Sequence, residues 1–64
     1  MSQQQVLDDR IRVALNNLNK AIVHVRSMVI ELQDQNYTAE AAALDLVLAS
    51  LIAEHDAIVT ALSA

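Results

Sequence analysis

The stretch "QDQNYT", residues 33–38, is the one polar cluster able to interrupt this 64-residue chain, which contains neither Gly nor Pro. Gly and Pro are the strongest local breakers of secondary structure, so long helices are expected on both sides of the cluster. Asn36 is the residue best able to take the left-handed conformation that Gly usually supplies. The sequence therefore predicts an all-α antiparallel hairpin with helices at about 3–35 and 38–63 and a turn at about 35–38.

The residues that begin each predicted helix support these boundaries. Ser2 is followed three residues later by Gln5, which resembles a capping box for the first helix. Thr38 is expected to cap the second helix, with Glu40 as a favourable charge at its positive end. Residues 1–64 are expected to form a single domain.

Length and composition indicate that this domain does not stand alone. A chain of this size buries only about 60% of the surface that its unfolded form exposes. Small domains compensate with disulfides, metals or oligomerisation, and this sequence has no Cys. The apolar fraction is 55% and is nearly all Ala, Leu, Val and Ile, a mixture that suits closely packed helices. Oligomerisation is the remaining route to stability.

Each predicted helix carries an apolar seam in which the spacing alternates between three and four residues, the repeat of coiled coils and bundles. The seam of the first helix is Ile11, Leu15, Leu18, Ile22, Val25, Val29 and Leu32. The seam of the second helix is Ala41, Leu44, Leu48, Leu51, His55, Ile58 and Leu62.

Further apolar residues lie outside the two seams. The first helix adds a row of Leu7, Ala14, Ala21 and Met28, and the second adds Ala42, Leu46, Ala49 and Ala53. One antiparallel partner cannot cover several rows, so we expect two hairpins to form a homodimeric four-helix bundle with C2 symmetry. Five residues outside the seams are expected to offer a surface to a partner protein: Val23, Ile30, Leu46, Ala49 and Ala53.

Charge and hydropathy narrow the classes of partner. The net charge is −4, and the chain beyond residue 35 has no Lys or Arg. A net acidic chain with four scattered cations is a poor match for a phosphate backbone, so nucleic acid is not the expected partner. The longest apolar runs fall short of the roughly 20 residues of a bilayer span, and no secretory signal is visible at the amino terminus. A cytoplasmic location and no membrane contact are expected.

His55 stands where another aliphatic residue would be expected in the second seam. One interpretation is a buried polar layer in which His55 bonds to an Asn beside Leu18 or to its dimer mate, fixing register at some cost in stability. Another is a pH-sensitive contact, because imidazole can change charge in the physiological range. Two ion pairs between the helices, Lys20 with Glu54 and Arg26 with Asp45, would favour the hairpin topology.

His24 is the other residue with possible chemistry. With Ser27 and Glu31 it invites a catalytic-triad interpretation, but Ser27 lies between the other two, whereas the His must stand between nucleophile and acid. Neither His24 nor His55 has a second metal ligand at helical spacing. In outline a dimeric hairpin with an outward His resembles histidine phosphotransfer modules, and it also looks similar to small RNA-binding regulators. These remain alternatives.

The expected function is a non-enzymatic interaction protein: a homodimeric regulator, adaptor or chaperone-like subunit without a cofactor, whose apolar surface docks a helix of another protein.

Overall fold

A computed structural model describes residues 3–63, and it confirms the predicted all-α hairpin. Helix α1 is Gln3–Asp34 and helix α2 is Thr38–Ser63. Ile11 of α1 lines one groove with Ile58 and Leu62 of α2, while Leu32 lines another with residues near the start of α2. The two helices therefore run antiparallel along their length. Helix α1 ends one residue earlier than its apolar pattern predicts.

The turn between the helices is a Schellman motif built without glycine. Asn36 has φ = 66°, the left-handed conformation that its short polar side chain tolerates better than most residues. The Asn36 N–H donates to the Gln33 carbonyl at 3.1 Å, and the Tyr37 N–H donates to the Leu32 carbonyl at 2.8 Å. These two bonds satisfy carbonyls that the end of α1 would otherwise leave unpaired. The conformation predicted for Asn36 is confirmed.

The predicted cap of α2 is displaced by one residue. The Ala41 N–H donates to the Tyr37 carbonyl at 2.9 Å, which makes Tyr37 the N-cap and Thr38 the first helical residue. The reason is that the Schellman motif already fixes Tyr37, so α2 begins immediately after it. Glu40 remains in the first turn of α2, as expected. The capping box predicted at Ser2 lies outside the described residues.

The buried core of the hairpin is small and lies on one side of the seams. The four buried hydrophobic residues among residues 3–63 are Ile22, Val29, Ala41 and Leu48. They come from rows that repeat every seven residues in each helix, so they meet along one line of contact. The other row of each seam is half-buried over most of its length. It comprises Leu18, Val25 and Leu32 in α1 and Leu44, Leu51 and Ile58 in α2.

The hairpin is a single layer of two helices, and its dimensions show it. The extents are 51 × 17 × 12 Å and the radius of gyration is 15.2 Å, whereas a compact domain of this length is expected near 11 Å. The accessible surface is 4852 Å². A compact monomer of 7.0 kDa is expected to expose about 4,000 Å². The layer therefore exposes about 800 Å² more than a globular protein of its mass.

Substitution of Asn36 tests the turn. Asn36→Ala is expected to lower the free energy of unfolding by about 1 kcal/mol, because Cβ disfavours positive φ and Ala has no polar side chain to offset it. Asn36→Gly is expected to remain within about 0.5 kcal/mol of the parent. The measurement is urea denaturation followed by circular dichroism at a fixed protein concentration.

Asn16→Ala is the matched control for this substitution. Asn16 lies in the exposed part of α1, where Ala is the better helix former, so the same chemical change should there be neutral or stabilising by up to about 0.7 kcal/mol. Equal effects of Asn36→Ala and Asn16→Ala would contradict the role assigned to the turn.

Candidate interaction surface

One side of the hairpin, which we call the open face, is a largely apolar surface interrupted by Glu40 and Glu54 of α2. It combines the half-buried row of each seam with the neighbouring row of the same helix. In α1 its residues are Leu7, Ile11, Ala14, Leu18, Ala21, Val25, Met28 and Leu32, all apolar. In α2 they are Glu40, Leu44, Val47, Leu51, Glu54, Ile58 and Ala61. None of these residues is buried in the hairpin.

Two shallow grooves on this face are each lined by residues of both helices. Near the chain ends, Ile11 of α1 shares a groove with Ile58 and Ala61 of α2. Near the turn, Leu32 of α1 shares a groove with Leu44 and Val47 of α2. In an antiparallel pair, rows on the same flank of each seam lie side by side, which agrees with both grooves. The open face therefore extends along the length of the hairpin.

Half of the open face was predictable from the sequence. The row of Leu7, Ala14, Ala21 and Met28 was recognised beside the first seam, whereas its counterpart in α2 was not, because Glu40 and Glu54 interrupt the apolar pattern of Val47 and Ala61. The predicted oligomer core includes both rows of each seam, and the structure gives them different environments. Ile22 and Val29 of one row are buried within the hairpin, while Val25 and Leu32 of the other row are half-buried. Ile11 and Leu62, which lie near the end of the hairpin away from the turn, are exposed.

The five residues predicted as a partner surface are all exposed, but they do not form one surface. Val23 and Ile30 lie on the outer side of α1, one position beyond buried Ile22 and Val29. Leu46, Ala49 and Ala53 lie on the outer side of α2, and Leu46 is 75% exposed. Since the buried rows of the two helices face each other, their outer sides face apart. We call the α2 set, with Ala42, the outer stripe.

His55 lies in the same row as buried Ala41 and Leu48, and its side chain is 28% exposed. Its Nδ1 is 3.8 Å from Oδ1 of Asp56, whose side chain is 76% exposed. This separation is too long for a hydrogen bond, and exposed pairs of this kind contribute little. Within residues 3–63 His55 makes no hydrogen bond to an asparagine. The bond to an Asn of the same hairpin, expected from the sequence, is thus not formed.

The two ion pairs predicted between the helices are also not formed within the described part of the chain. His55 with Asp56 is the one pair found there within 4.0 Å. Lys20 lies two residues from both Leu18 and Ile22, so it points away from α2 and cannot reach Glu54. Arg26 and Asp45 are exposed, and in water their attraction does not offset the entropy of holding two long side chains together.

The group of His24, Ser27 and Glu31 is exposed on α1. The Ser27 hydroxyl donates to the Val23 carbonyl at 3.0 Å, the i−4 bond that helical serines commonly make. This bond directs the hydroxyl into its own helix rather than towards His24. The exposed position of His24 is the one that a phosphotransfer role requires, and it is equally the position of an ordinary solvated side chain.

The cations of α1 do not converge on one face. Arg12 and Arg26 are fourteen residues apart and share a side of the helix, whereas Arg10 and Lys20 point in two other directions. A nucleic-acid footprint requires a clustered basic patch. Among residues 3–63, no three His, Asp or Glu side chains come together as a metal site.

Helix α2 meets the length and composition of a membrane-spanning helix, and the expected absence of membrane contact stays a prediction. Its least charged 18-residue stretch is 46–63, and Glu54 and Asp56 lie in the middle of it. A carboxylate at the bilayer centre costs roughly 2.5–3.5 kcal/mol by insertion scales. Packing against other helices in water covers the same apolar area without placing either carboxylate in hydrocarbon.

Replacement of His55 tests its place in the packing. His55→Leu is expected to raise the free energy of unfolding by about 1–2 kcal/mol, because an aliphatic side chain replaces a polar ring in an apolar row. The same change is expected to make the oligomeric state less uniform, because the polar group that restricts the alternatives is gone. Thermal unfolding and sedimentation velocity measure the two effects.

His24→Leu is the control for this substitution, because exposed His24 should tolerate the change to within about 0.5 kcal/mol. Lower stability of His55→Leu with an unchanged single species would contradict the register role.

Comparison with protein-family models, with curated proteins and with solved structures finds no match to this chain. The function is therefore inferred from the geometry of the hairpin and its exposed faces.

Proposed function

We propose that this protein is a non-enzymatic protein–protein interaction module that works as a homodimeric four-helix bundle. The observation that carries the proposal is the open face, a largely apolar surface along the hairpin whose residues are half-buried or exposed in the described part of the chain. A regulator, adaptor or chaperone-like subunit is the class of protein that this architecture suits. Such a protein acts by presenting helix faces rather than by supplying chemistry.

The surface area of the hairpin supports self-association. The layer exposes about 800 Å² beyond the expectation for its mass, which is close to what each partner buries in a standard-size interface. The buried core holds three large aliphatic side chains, Ile22, Val29 and Leu48. A core of that size is weak compensation for the conformational entropy lost by two long helices. Dimerisation through an apolar face supplies the missing burial.

The outer stripe of α2 is the surface proposed for a partner protein. It remains exposed when the open face is covered, because it lies on the far side of the same helix. Asp45 and Asp56 lie beside it, and no Lys or Arg occurs beyond residue 35. An amphipathic helix with an apolar stripe and basic flanks matches this surface in shape and charge.

Sedimentation equilibrium over a concentration series tests the dimer. The expected result is a species of twice the 7.0 kDa chain mass, with thermal unfolding that shifts to higher temperature as concentration rises. A cooperatively folded monomer at millimolar concentration would overturn the proposal.

Substitution in the outer stripe tests the partner surface. Leu46→Glu places a carboxylate at the most exposed large apolar residue of α2 and should reduce capture of a helical partner at least about tenfold, while leaving the dimer intact. Quantitative capture from extracts of the native host, with a photo-crosslinker at position 53, measures the loss and locates the contact.

Val13→Glu is the matched control, since Val13 is also strongly exposed, at 62% against 75% for Leu46, but lies on α1. If the parent protein and Leu46→Glu captured equal amounts of the partner, the partner would bind a surface other than the outer stripe.

A further inference from the structure

We infer that the occupant of the open face is a second copy of this chain, arranged with the two turns at the same end of the bundle. The two-fold axis then runs parallel to the helices, and α1 of each copy packs against α2 of the other. This inference rests on the proposed dimer and adds the face that mediates it and the relative orientation of the copies.

The dimensions of the open face match those of a second copy. The apolar rows run the length of the described hairpin, which measures 51 × 17 Å in the plane of the layer. An identical surface has the same length and the same two-helix width. The excess exposed area is about the size of one side of a standard interface, which is the area that a second copy would bury.

Side-chain sizes on the two helices are complementary in this orientation. A two-fold axis parallel to the helices leaves the position of every residue along the helix axis unchanged. Each α1 therefore meets, in the second copy, the same stretch of α2 that it contacts in its own hairpin. The groove residues fix that position, with Ile11 beside Ile58 and Ala61, and Leu32 beside Leu44. Counting inward at equal rise, Ala14 lies level with Ile58 and Ala21 lies level with Leu51. At these two levels a small residue faces a large one, which allows close packing, whereas near the turn Met28 lies level with Leu44.

The charges of the two helices favour the same orientation. Residues 1–35 carry no net charge, whereas residues 36–64 carry four carboxylates and no Lys or Arg. Placing α1 against α2 of the other copy brings the neutral helix to the acidic one and keeps the two acidic helices on opposite corners. Interfaces that avoid like charges are favoured over those that juxtapose them.

The opposite orientation has an identifiable defect. If the turns lay at opposite ends, the two-fold axis would cross the middle of the hairpin, and α2 would pack against its own copy. Glu54 lies level with Leu18 and Asn19, close to the midpoint of α1. Its carboxylate would then approach the Glu54 carboxylate of the second copy, with no cation of α2 to compensate.

A pair of Glu substitutions in α1 tests which face is covered. Ala21→Glu places a charge in the open face, and Val23→Glu places the same charge two residues away on the outer side of α1. Both residues are exposed in the hairpin, so neither change disturbs its core. Ala21→Glu should weaken the dimer at least about 100-fold in sedimentation equilibrium, and Val23→Glu should leave it within about threefold.

A spin label tests the orientation without disturbing the interface. The chain has no Cys, so Asp34→Cys gives one label per copy, on an exposed residue beside the turn and off the open face. With the turns at the same end, pulsed electron paramagnetic resonance should give a distance below about 35 Å, set by the width of a bundle with axes 8–10 Å apart. With the turns at opposite ends it should give about 45 Å or more, set by the helix length at 1.5 Å per residue.

Asn19→Cys is the control for the label experiment. It lies at mid-length, so it should give a similar distance in either orientation and report that the labelled dimer has formed.

The outcomes separate this inference from the proposed function. A dimer that survives Ala21→Glu and dissociates with Val23→Glu would overturn the choice of face while leaving the dimer standing. A long Asp34 distance together with the expected Asn19 distance would overturn the orientation alone. A monomeric parent protein would remove both the inference and the dimer on which it rests.

Discussion

A single layer of two helices has no interior, and this constraint governs the whole molecule. Each helix can bury one strip against its neighbour, and among residues 3–63 the two strips together contain four buried residues. Both helices carry apolar side chains well beyond that strip. The hairpin therefore satisfies its backbone hydrogen bonds internally but leaves much of its hydrophobic surface in contact with water. Its stability and its proposed activity both depend on this exposed hydrophobic surface.

The sequence was sufficient to predict the hairpin, for reasons that are visible in particular residues. With no Gly or Pro, the polar cluster at 33–38 stood out as the interruption, and Asn36 was the residue suited to positive φ. The alternating spacing of the seams predicted which sides of the helices meet, and Ile22, Val29 and Leu48 are buried accordingly. Patterns of this kind depend on local geometry and helical periodicity, which a sequence records directly.

Other features could not be read from the sequence, because they depend on the angle at which the helices meet. The seams gave no indication that one row of each would be buried and the other left half-exposed, since that division follows from a small rotation of the helices about their axes. The ion pair of Lys20 is not formed because Lys20 points away from α2, and that of Arg26 is not formed because exposed pairs are only weakly favoured in water. The cap moved from Thr38 to Tyr37 because the turn, rather than side-chain preference, determined where α2 begins.

Tyr37 completes the Schellman motif of α1 and is also the N-cap of α2, so the connection contains no spare residue. Helix α2 is apolar around most of its circumference, and hydrophobicity alone does not determine which of its sides turns inward. Each added residue in the connection would rotate α2 by about 100° about its axis. If the turn kept its geometry, a one-residue insertion before Thr38 would thus bring the row of Glu40, Val47 and Glu54 towards α1 in place of the row of Ala41, Leu48 and His55. The length of the connection therefore determines which side of α2 is buried against α1 and which sides stay exposed.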